Sequence, residues 1–139
     1  MQDYFTLSLA PDELRNISSL GLAHMGDAVY EILVRGFLCS GGRSVAKNLH
    51  RDTVSMVCAP AQAKAAEKLQ PLLTEEELAV FRRGRNAHVK LVPRSATRGE
   101  YMQATGLEAL FGWLYLTGNR DRINELFEVI VTPDEPDAE

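Results

Sequence analysis

The stretch YMQATGLEALFGWLYLT, residues 101–117, contains a single charged residue, Glu108. A helix over this stretch is apolar almost all round, and such a helix is usually buried at the centre of a domain. An ionised carboxylate in that position is costly unless it is paired, hydrogen-bonded or bound to a cation. Glu108 is therefore either part of a buried salt bridge or helix-cap contact, or a functional acid.

A second acid stands in an unusual position in LAHMGDAVYE, residues 22–31. Asp27 falls in the middle of a predicted helix, where aspartate has poor helix propensity, and Gly26 beside it costs roughly 1 kcal/mol relative to alanine. This pair indicates close approach by another backbone or by a ligand; alternatively, a neighbouring helix cap satisfies a buried Asp27. Glu31 lies one turn further on. It is either a third functional acid or a solvated residue at the end of the helix face that contains Asp27.

Helical spacing of apolar residues extends over nearly the whole chain. A capping box of Thr74 and Glu77 opens one predicted helix, Pro60 fits a first helical turn, and Gly118 ends the longest apolar helix. No alternating run of β-branched residues predicts a strand, so the expected fold class is all-α, with six or seven helices. The predicted helices cover residues 17–38, 44–57, 61–69, 74–84, 97–116 and 119–131, the last capped by Asn119, and residues 83–95 are predicted as a loop.

The length of 139 residues and the apolar fraction of 45% suit one domain, expected over residues 1–132. Residues 133–139 form an acidic, proline-punctuated segment that is expected to be a disordered tail. No secretory leader and no run of about 18 apolar residues is present, so we expect a cytoplasmic protein without a membrane span. No cysteine or histidine has metal-ligand spacing. We expect Cys39 and Cys58 to be reduced and mostly buried, and His24, His50 and His88 to be surface or packing residues.

The net charge of −4 is unevenly distributed along the chain. Four of the nineteen acids lie in residues 134–139, and the fifteen others are balanced by fifteen bases. No acid occurs between Leu78 and Gly99, a segment that contains six bases. This concentration indicates an anionic partner, although Arg82 and Arg83 also fit a solvated helix end favoured by the helix dipole. The six bases are Arg82, Arg83, Arg85, Lys90, Arg94 and Arg98.

The two unusual acids and the basic segment together point to one kind of chemistry. Oxygen ligands without clustered histidine or cysteine suit a hard cation such as Mg²⁺, with Mn²⁺ as a substitute. Two acids on different helices, a hard cation and a basic segment indicate metal-assisted attack on a phosphodiester. The residues alone do not choose the substrate.

The same segments resemble a known family. LAHMGDAVYE (22–31) is similar to the signature segment of ribonuclease III, and ATGLEALFGWLYL (104–116) is similar to the family's second acidic motif. The short chain, the missing double-stranded-RNA-binding domain and FRRGRNAHVK (81–90) resemble the Mini-ribonuclease III group in particular. The resemblance covers residues 17–130 and implies the helical endonuclease-domain fold of that family.

The resemblance also implies an activity. By this resemblance, we expect a homodimeric, Mg²⁺-dependent endoribonuclease that cuts double-stranded RNA and leaves 5′-phosphate and 3′-hydroxyl ends. The expected substrate is bacterial ribosomal RNA, the 23S precursor, which the enzyme matures. Asp27 and Glu108 fall on the catalytic and metal-binding positions of the family. Arginine binds phosphate through two parallel hydrogen bonds, which suits an RNA duplex whose base edges are poorly accessible to side chains. The expected RNA-binding residues are Arg82, Arg83, Arg85, Asn86, Lys90 and Arg94.

This chain departs from the full-length ribonuclease III pattern at three acidic positions, which are Leu20, Ala23 and Thr105 here. Fewer carboxylates are therefore available as metal ligands, and a tightly held second metal is in doubt. Two alternatives to an enzyme are an inactive member of the fold that only binds structured RNA, and a helical scaffold or DNA-binding dimer. Retention of two costly acids favours the enzyme. The expected dimer surface comprises Phe111, Trp113, Leu114 and Tyr115 on one helix, and Leu20, Leu22 and Met25 on another.

Overall fold

The computed structural model describes residues 1–87, 92, 94 and 96–135, and this part of the chain contains helices and no strand. The predicted all-α class is confirmed. Within the described residues, a 3₁₀ turn over Ala46–Asn48 precedes the third α-helix, and another over Gln70–Leu72 follows the fourth. The α-helices are α1 (Pro11–Arg15), α2 (Ser19–Cys39), α3 (Leu49–Val57), α4 (Ala59–Leu69), α5 (Glu75–Arg85), α6 (Arg98–Leu116) and α7 (Arg120–Val131).

Helix α6 lies at the centre of the fold, as its apolar sequence predicts. It packs against α2, α4, α5 and α7. Its side chains Leu107, Leu110 and Phe111 are fully buried. The ring of Tyr30 from α2 meets the ring of Phe111 edge to face, with centroids 5.4 Å apart. Since aromatic pairs of this geometry contribute beyond their buried area, this contact helps to fix α2 against α6.

Glycines allow the central helix to approach two of its neighbours very closely. A Cβ atom on Gly26 of α2 would lie 1.6 Å from the backbone oxygen of Glu108, and one on Gly112 of α6 would lie 2.0 Å from the backbone oxygen of Leu22. Gly84 makes a similar approach to Ala109 between α5 and α6. The close approach predicted at Gly26 is therefore confirmed, and the neighbouring backbone is that of Glu108.

Two helix ends are stabilised by the residues that sequence signals predict. The capping box of Thr74 and Glu77 is present at the start of α5. Gly118 adopts a φ of +78°, a left-handed conformation that ends α6 at little steric cost. Asn119 is an exception: it precedes α7, but its side chain makes no capping hydrogen bond and donates instead to the Thr117 hydroxyl at 3.2 Å. The predicted position of Asn119 as the N-cap residue of the last helix is confirmed, without a capping hydrogen bond from its side chain.

A buried ion pair joins the start of α5 to α7. The Arg122 guanidinium donates to both carboxylate oxygens of Glu77, at 2.8 and 2.9 Å, and to the Leu72 carbonyl at 2.9 Å. Burial alone would raise the pKa of Glu77, but hydrogen bonds from Arg122 and Thr74 hold it below its usual value. The fold thus buries a fully partnered acid here, in contrast to Glu108.

The N-terminal segment packs on the end of α6, a feature that the sequence did not reveal. The Leu9 amide donates to the Leu116 carbonyl at 2.8 Å. Apolar residues of the segment, with the short helix α1, cover a second core cluster. This layer comprises Leu7, Leu9, Leu14 and Ile17, packed against Leu22, Ala23, Val80, Ala109 and Leu116.

Several predicted boundaries differ from the observed ones. The helix predicted over 44–57 begins only at Leu49, after the 3₁₀ turn. The loop predicted over 83–95 begins only after Arg85, because α5 continues to that residue. Cys39 is exposed and Cys58 half-buried, and the two do not form a disulfide, so the prediction of buried thiols is wrong for Cys39. The tail residues 136–139 and His88 lie outside the described residues, while 133–135 are exposed.

The expected dimer surface is partly wrong. Phe111 and Leu114 of α6 and Leu22 of α2 are buried in the core of the chain itself, where α6 packs against its neighbours. Trp113, Tyr115 and Met25 are only partly buried, and Leu20 retains 45% of its exposure. Nowhere in the described part of the chain is a helix long and apolar enough to cross a membrane.

Candidate active site

The two acids singled out by the sequence come together in the structure. Asp27 lies on α2 and Glu108 on α6, where the backbones touch at Gly26, and the two carboxyl groups contact each other. Glu108 is half-buried, whereas Asp27 is exposed. The alternative of a buried Asp27 that a helix cap satisfies is therefore wrong, since the site opens to solvent on the α2 side.

The Glu108 carboxyl is in an unfavourable environment for a negative charge. Its burial, followed by the negative charge and the contact of Asp27, raises its pKa to about 8. Among the described residues, no lysine, arginine or histidine forms an ion pair with either acid; the ion pairs found involve other carboxylates. The salt-bridge alternative for Glu108 therefore has no support in this part of the chain. Two apposed carboxyl groups without a cationic side chain are the environment that a bound cation would stabilise.

A third polar side chain, Gln62 on α4, reaches the same place. Its Nε2 donates to the Val57 carbonyl at 2.9 Å, and its amide acts on Glu108 to lower that residue's pKa, against the larger effects of burial and Asp27. The side chain keeps only 3% of its exposure. Sequence reasoning missed Gln62, although the period of Gln62, Ala65, Ala66 and Leu69 places it on the buried face of α4.

Tyr30 closes the inner side of the site. It lies one turn after Asp27 on α2 and is 1% exposed. Burial, and then the negative charge of Glu108, raise the pKa of its phenol, so Tyr30 stays neutral. The site is thus built where three helices meet, with α2 contributing Asp27 and Tyr30, α4 contributing Gln62, and α6 contributing Glu108.

The positions where this chain departs from the ribonuclease III pattern do not supply further ligands. Leu20 and Ala23 have no donor atoms, and the Thr105 hydroxyl donates to the Tyr101 carbonyl at 2.9 Å within α6. Glu31 pairs with Arg35 one turn along α2, at 2.8 Å, which favours the solvated-end interpretation over a third functional acid. No group of three or more His, Cys, Asp or Glu side chains that could hold a metal occurs in the described residues. Asp27 and Glu108 remain the pair able to hold one.

The oxygen donor set of this pair fits a hard divalent cation. Mg²⁺ is usually held by one or two carboxylates and keeps several waters, so two carboxylates are enough. Burial and Asp27 raise the pKa of Glu108 when no cation is present, and a bound divalent charge would favour its ionised form.

The predicted RNA-binding residues lie at the end of α5. Arg82, Arg83 and Asn86 are exposed, while Arg85 is half-buried with its Nε 3.3 Å from the Asn86 Oδ1. Gly84, in the same turn, packs on Gly106 and Ala109, which flank Glu108 along α6. The basic turn of α5 therefore lies against the α6 turn that contains Glu108.

The other predicted RNA contacts are less well defined by the structure. Arg94 is exposed, and Lys90 lies outside the described residues. Arg83 also borders a cleft of about 340 Å³ with Leu22 and Trp113, on the side of α1. Within the described part, no carboxylate pairs with the basic side chains of this segment. They are thus available to an external anion.

Comparison with known proteins decides the family. The family model described as "Ribonuclease III domain" matches residues 20–119, a range that includes both acids. The chain belongs to the ribonuclease III family. This membership supports an endoribonuclease activity and an RNA substrate, and it confirms the resemblance found in residues 22–31 and 104–116.

Relatives from within the ribonuclease III family match over most of their length. Mini-ribonuclease 3 of Clostridium tetani is 35% identical over 133 residues, which cover 94% of this chain and 88% of the relative. Mini-ribonuclease 3 of Symbiobacterium thermophilum is 46% identical over 109 residues, covering 78% and 84%. A crystal structure of a Fusobacterium nucleatum protein superposes with a TM-score of 0.78 at 32% identity, covering 84% of this chain and 95% of the other. The similarity between this chain and these three proteins therefore extends over most of each chain.

Proposed function

We propose that this ribonuclease III-family protein is a Mg²⁺-dependent endoribonuclease that cleaves double-stranded RNA as a homodimer. The observation that carries the proposal is the contact between Asp27 and Glu108 at the crossing of α2 and α6, with no cationic side chain paired to either acid among the described residues. A helical domain has no structural reason to appose two carboxyl groups in this way, because each raises the cost of ionising the other.

The chain's own residues prepare this site for a phosphodiester. Gly26 lets α2 touch the backbone of Glu108, which fixes the relative position of the two carboxyl groups. Asp27 faces solvent and is accessible to a phosphate, whereas Glu108 is held in a half-buried position. When bound, Mg²⁺ supplies a water of lowered pKa and stabilises the charge that develops on the phosphate. The proposed products are a 5′-phosphate and a 3′-hydroxyl.

The exposed bases at the end of α5 support duplex RNA as the substrate. Double-stranded RNA presents phosphates and 2′-hydroxyls in a regular shape, and arginine binds phosphate through two parallel hydrogen bonds. Arg82 and Arg83 are exposed in a turn that packs on the α6 segment around Glu108.

A homodimer provides one site for each strand of a duplex. Leu20 and Ile32 on α2 retain 45% and 53% of their exposure, and Asp27 lies between them in the helix. We therefore place the subunit contact on these two apolar residues, which leaves Asp27 between them open to RNA, rather than on the buried residues Phe111 and Leu114. By family resemblance, the proposed substrate is precursor ribosomal RNA, the 23S species. A cleavage map on total cellular RNA from a strain lacking the protein tests that assignment.

Incubation of labelled duplex RNA with the purified protein tests the activity. We expect cleavage in Mg²⁺, slower or comparable cleavage in Mn²⁺, none with a chelator, and none of single-stranded RNA of the same sequence. End-labelling before and after phosphatase treatment identifies the 5′-phosphate. Binding of the duplex without any cleavage in either metal would refute the enzyme and favour the inactive RNA-binding alternative.

A further inference from the structure

The amide of Gln62 is the strongest feature that the site chemistry does not yet use. Its side chain is almost completely enclosed, with 3% of its exposure left. Its carbonyl oxygen Oε1 is buried and has no hydrogen-bond partner in the described part of the chain. Buried polar atoms are nearly always partnered, and an exception needs an explanation. An unpartnered buried oxygen destabilises a fold, so a glutamine at this position of an alanine-rich helix has a role that alanine or methionine would not fulfil.

The other half of the amide is fixed. Nε2 donates to the Val57 carbonyl, 2.9 Å away at the end of α3, so the side chain is anchored from outside its own helix. The amide also lies close enough to Glu108 to lower the pKa of that carboxyl. An NH₂ group has two donors, and the Val57 carbonyl takes one of them, which leaves the second for Glu108. The carbonyl oxygen Oε1, which has no partner in the described residues, is left for a different group.

We propose that Gln62 is a positioning residue for the metal site: it holds the Glu108 carboxylate through Nε2, and through Oε1 it accepts a hydrogen bond from a water molecule of the bound cation. The inference rests on the proposed function, because it assumes a divalent cation at Asp27 and Glu108. It also explains how a chain with Ala23 and Thr105 in place of two acids supports a hydrated cation. Outer-shell partners of this kind are worth about 10- to 100-fold in metal affinity.

Metal binding without RNA tests the proposal. Mn²⁺ affinity is measured by electron paramagnetic resonance for the wild-type protein, for Gln62→Met and for Gln70→Met. Methionine has a similar length and removes both amide functions. Gln70 provides a matched control, because its amide donates to Gln103 at 3.2 Å at the other end of α4. We expect about tenfold weaker Mn²⁺ binding for Gln62→Met and wild-type binding for Gln70→Met.

Stability and kinetics separate positioning from a merely structural role. Gln62→Met removes an unpartnered buried oxygen, so its denaturation midpoint should not fall below that of Gln70→Met. In cleavage assays, kcat at limiting Mg²⁺ should fall and recover at high Mg²⁺, with the KM for RNA unchanged. If Gln62→Met does not fold, Gln62→Asn keeps the amide but shortens its reach, and the same weakening of Mn²⁺ binding is expected.

Mn²⁺ affinity within twofold of wild type in Gln62→Met, or in Gln62→Asn if only that variant folds, would overturn the proposal. Asp27→Asn in the same experiment shows whether the role of Gln62 or the proposed metal site itself is wrong. If Asp27→Asn loses Mn²⁺ binding while the Gln62 variants bind normally, only the role of Gln62 is wrong. If Asp27→Asn binds Mn²⁺ as the wild type does, the proposed metal site itself is wrong.

Discussion

Replacement of Gly26 by alanine adds one methyl group at the tightest contact of the fold. The new Cβ would lie 1.6 Å from the backbone oxygen of Glu108 and 2.8 Å from the backbone nitrogen of Gly112. Both atoms belong to the backbone of the central helix, so no side-chain rotation relieves the clash. Ordinary contact begins near 3.4 Å, and α2 and α6 would therefore have to separate locally by about 1.8 Å.

A separation of this size affects both stability and the site. Overpacking in a well-packed core costs about 1–3 kcal/mol and sometimes more, and here the clash is with backbone, so we expect at least 3 kcal/mol. That is a large part of the roughly 5–15 kcal/mol that stabilises a typical domain. The same displacement moves Asp27 away from Glu108, so any folded fraction should bind Mn²⁺ poorly and cleave RNA slowly.

Urea denaturation followed by circular dichroism measures the effect, with Gly36→Ala as the matched control. Gly36 lies in the same helix, and a Cβ there meets no atom within 4 Å. Alanine at that position should stabilise the protein by about 0.5–1 kcal/mol through helix propensity. If Gly26→Ala were as stable as Gly36→Ala and bound Mn²⁺ normally, the inferred helix contact would be wrong.

Three further predictions concern the acid, the basic turn and the dimer. Because the pKa of Glu108 is about 8 in the folded chain against 4.5 in the unfolded one, its contribution to stability falls as pH rises through that window. Metal-free Glu108→Gln should therefore gain in melting temperature over the wild type from about pH 5 to pH 8, and a constant difference would contradict this. Neutralising Arg83 and Arg85 together should weaken duplex binding in Ca²⁺ for all sequences and lower the salt slope by roughly one unit per lost phosphate contact; an unchanged slope removes this turn from the RNA surface. Light scattering should report about twice the chain mass of 15.4 kDa, and Ile32→Asp should give monomers; a wild-type monomer at micromolar concentration would refute the dimer.

Much of the fold follows from local patterns that act within a single helix. The apolar stretch around Glu108 predicts the central helix, and capping signals such as Thr74 predict helix starts, because both depend on residues close in sequence. The N-terminal layer could not be predicted in this way. Its position depends on a contact between Leu9 and Leu116, which are distant in sequence, and α1 is too short to show a period.

The site was predictable in its acids and less so in their surroundings. The Gly-Asp pair at residues 26 and 27 correctly indicates a close backbone, because a glycine in a helix is costly without such a contact. Whether Asp27 is buried depends on how α2 is oriented, which periodicity leaves open. Gln62 was missed because its chemistry depends on Val57 and Glu108, two acceptors supplied by other helices.

The most direct test of the central claim is single-turnover cleavage of duplex RNA by Asp27→Asn in saturating Mg²⁺. The change preserves the shape of an exposed side chain and removes the charge that holds the cation, so fold and duplex affinity in Ca²⁺ should stay near wild type. We predict that cleavage falls below detection. Near-wild-type turnover of this variant would contradict the assignment of Asp27 and Glu108 as the metal site.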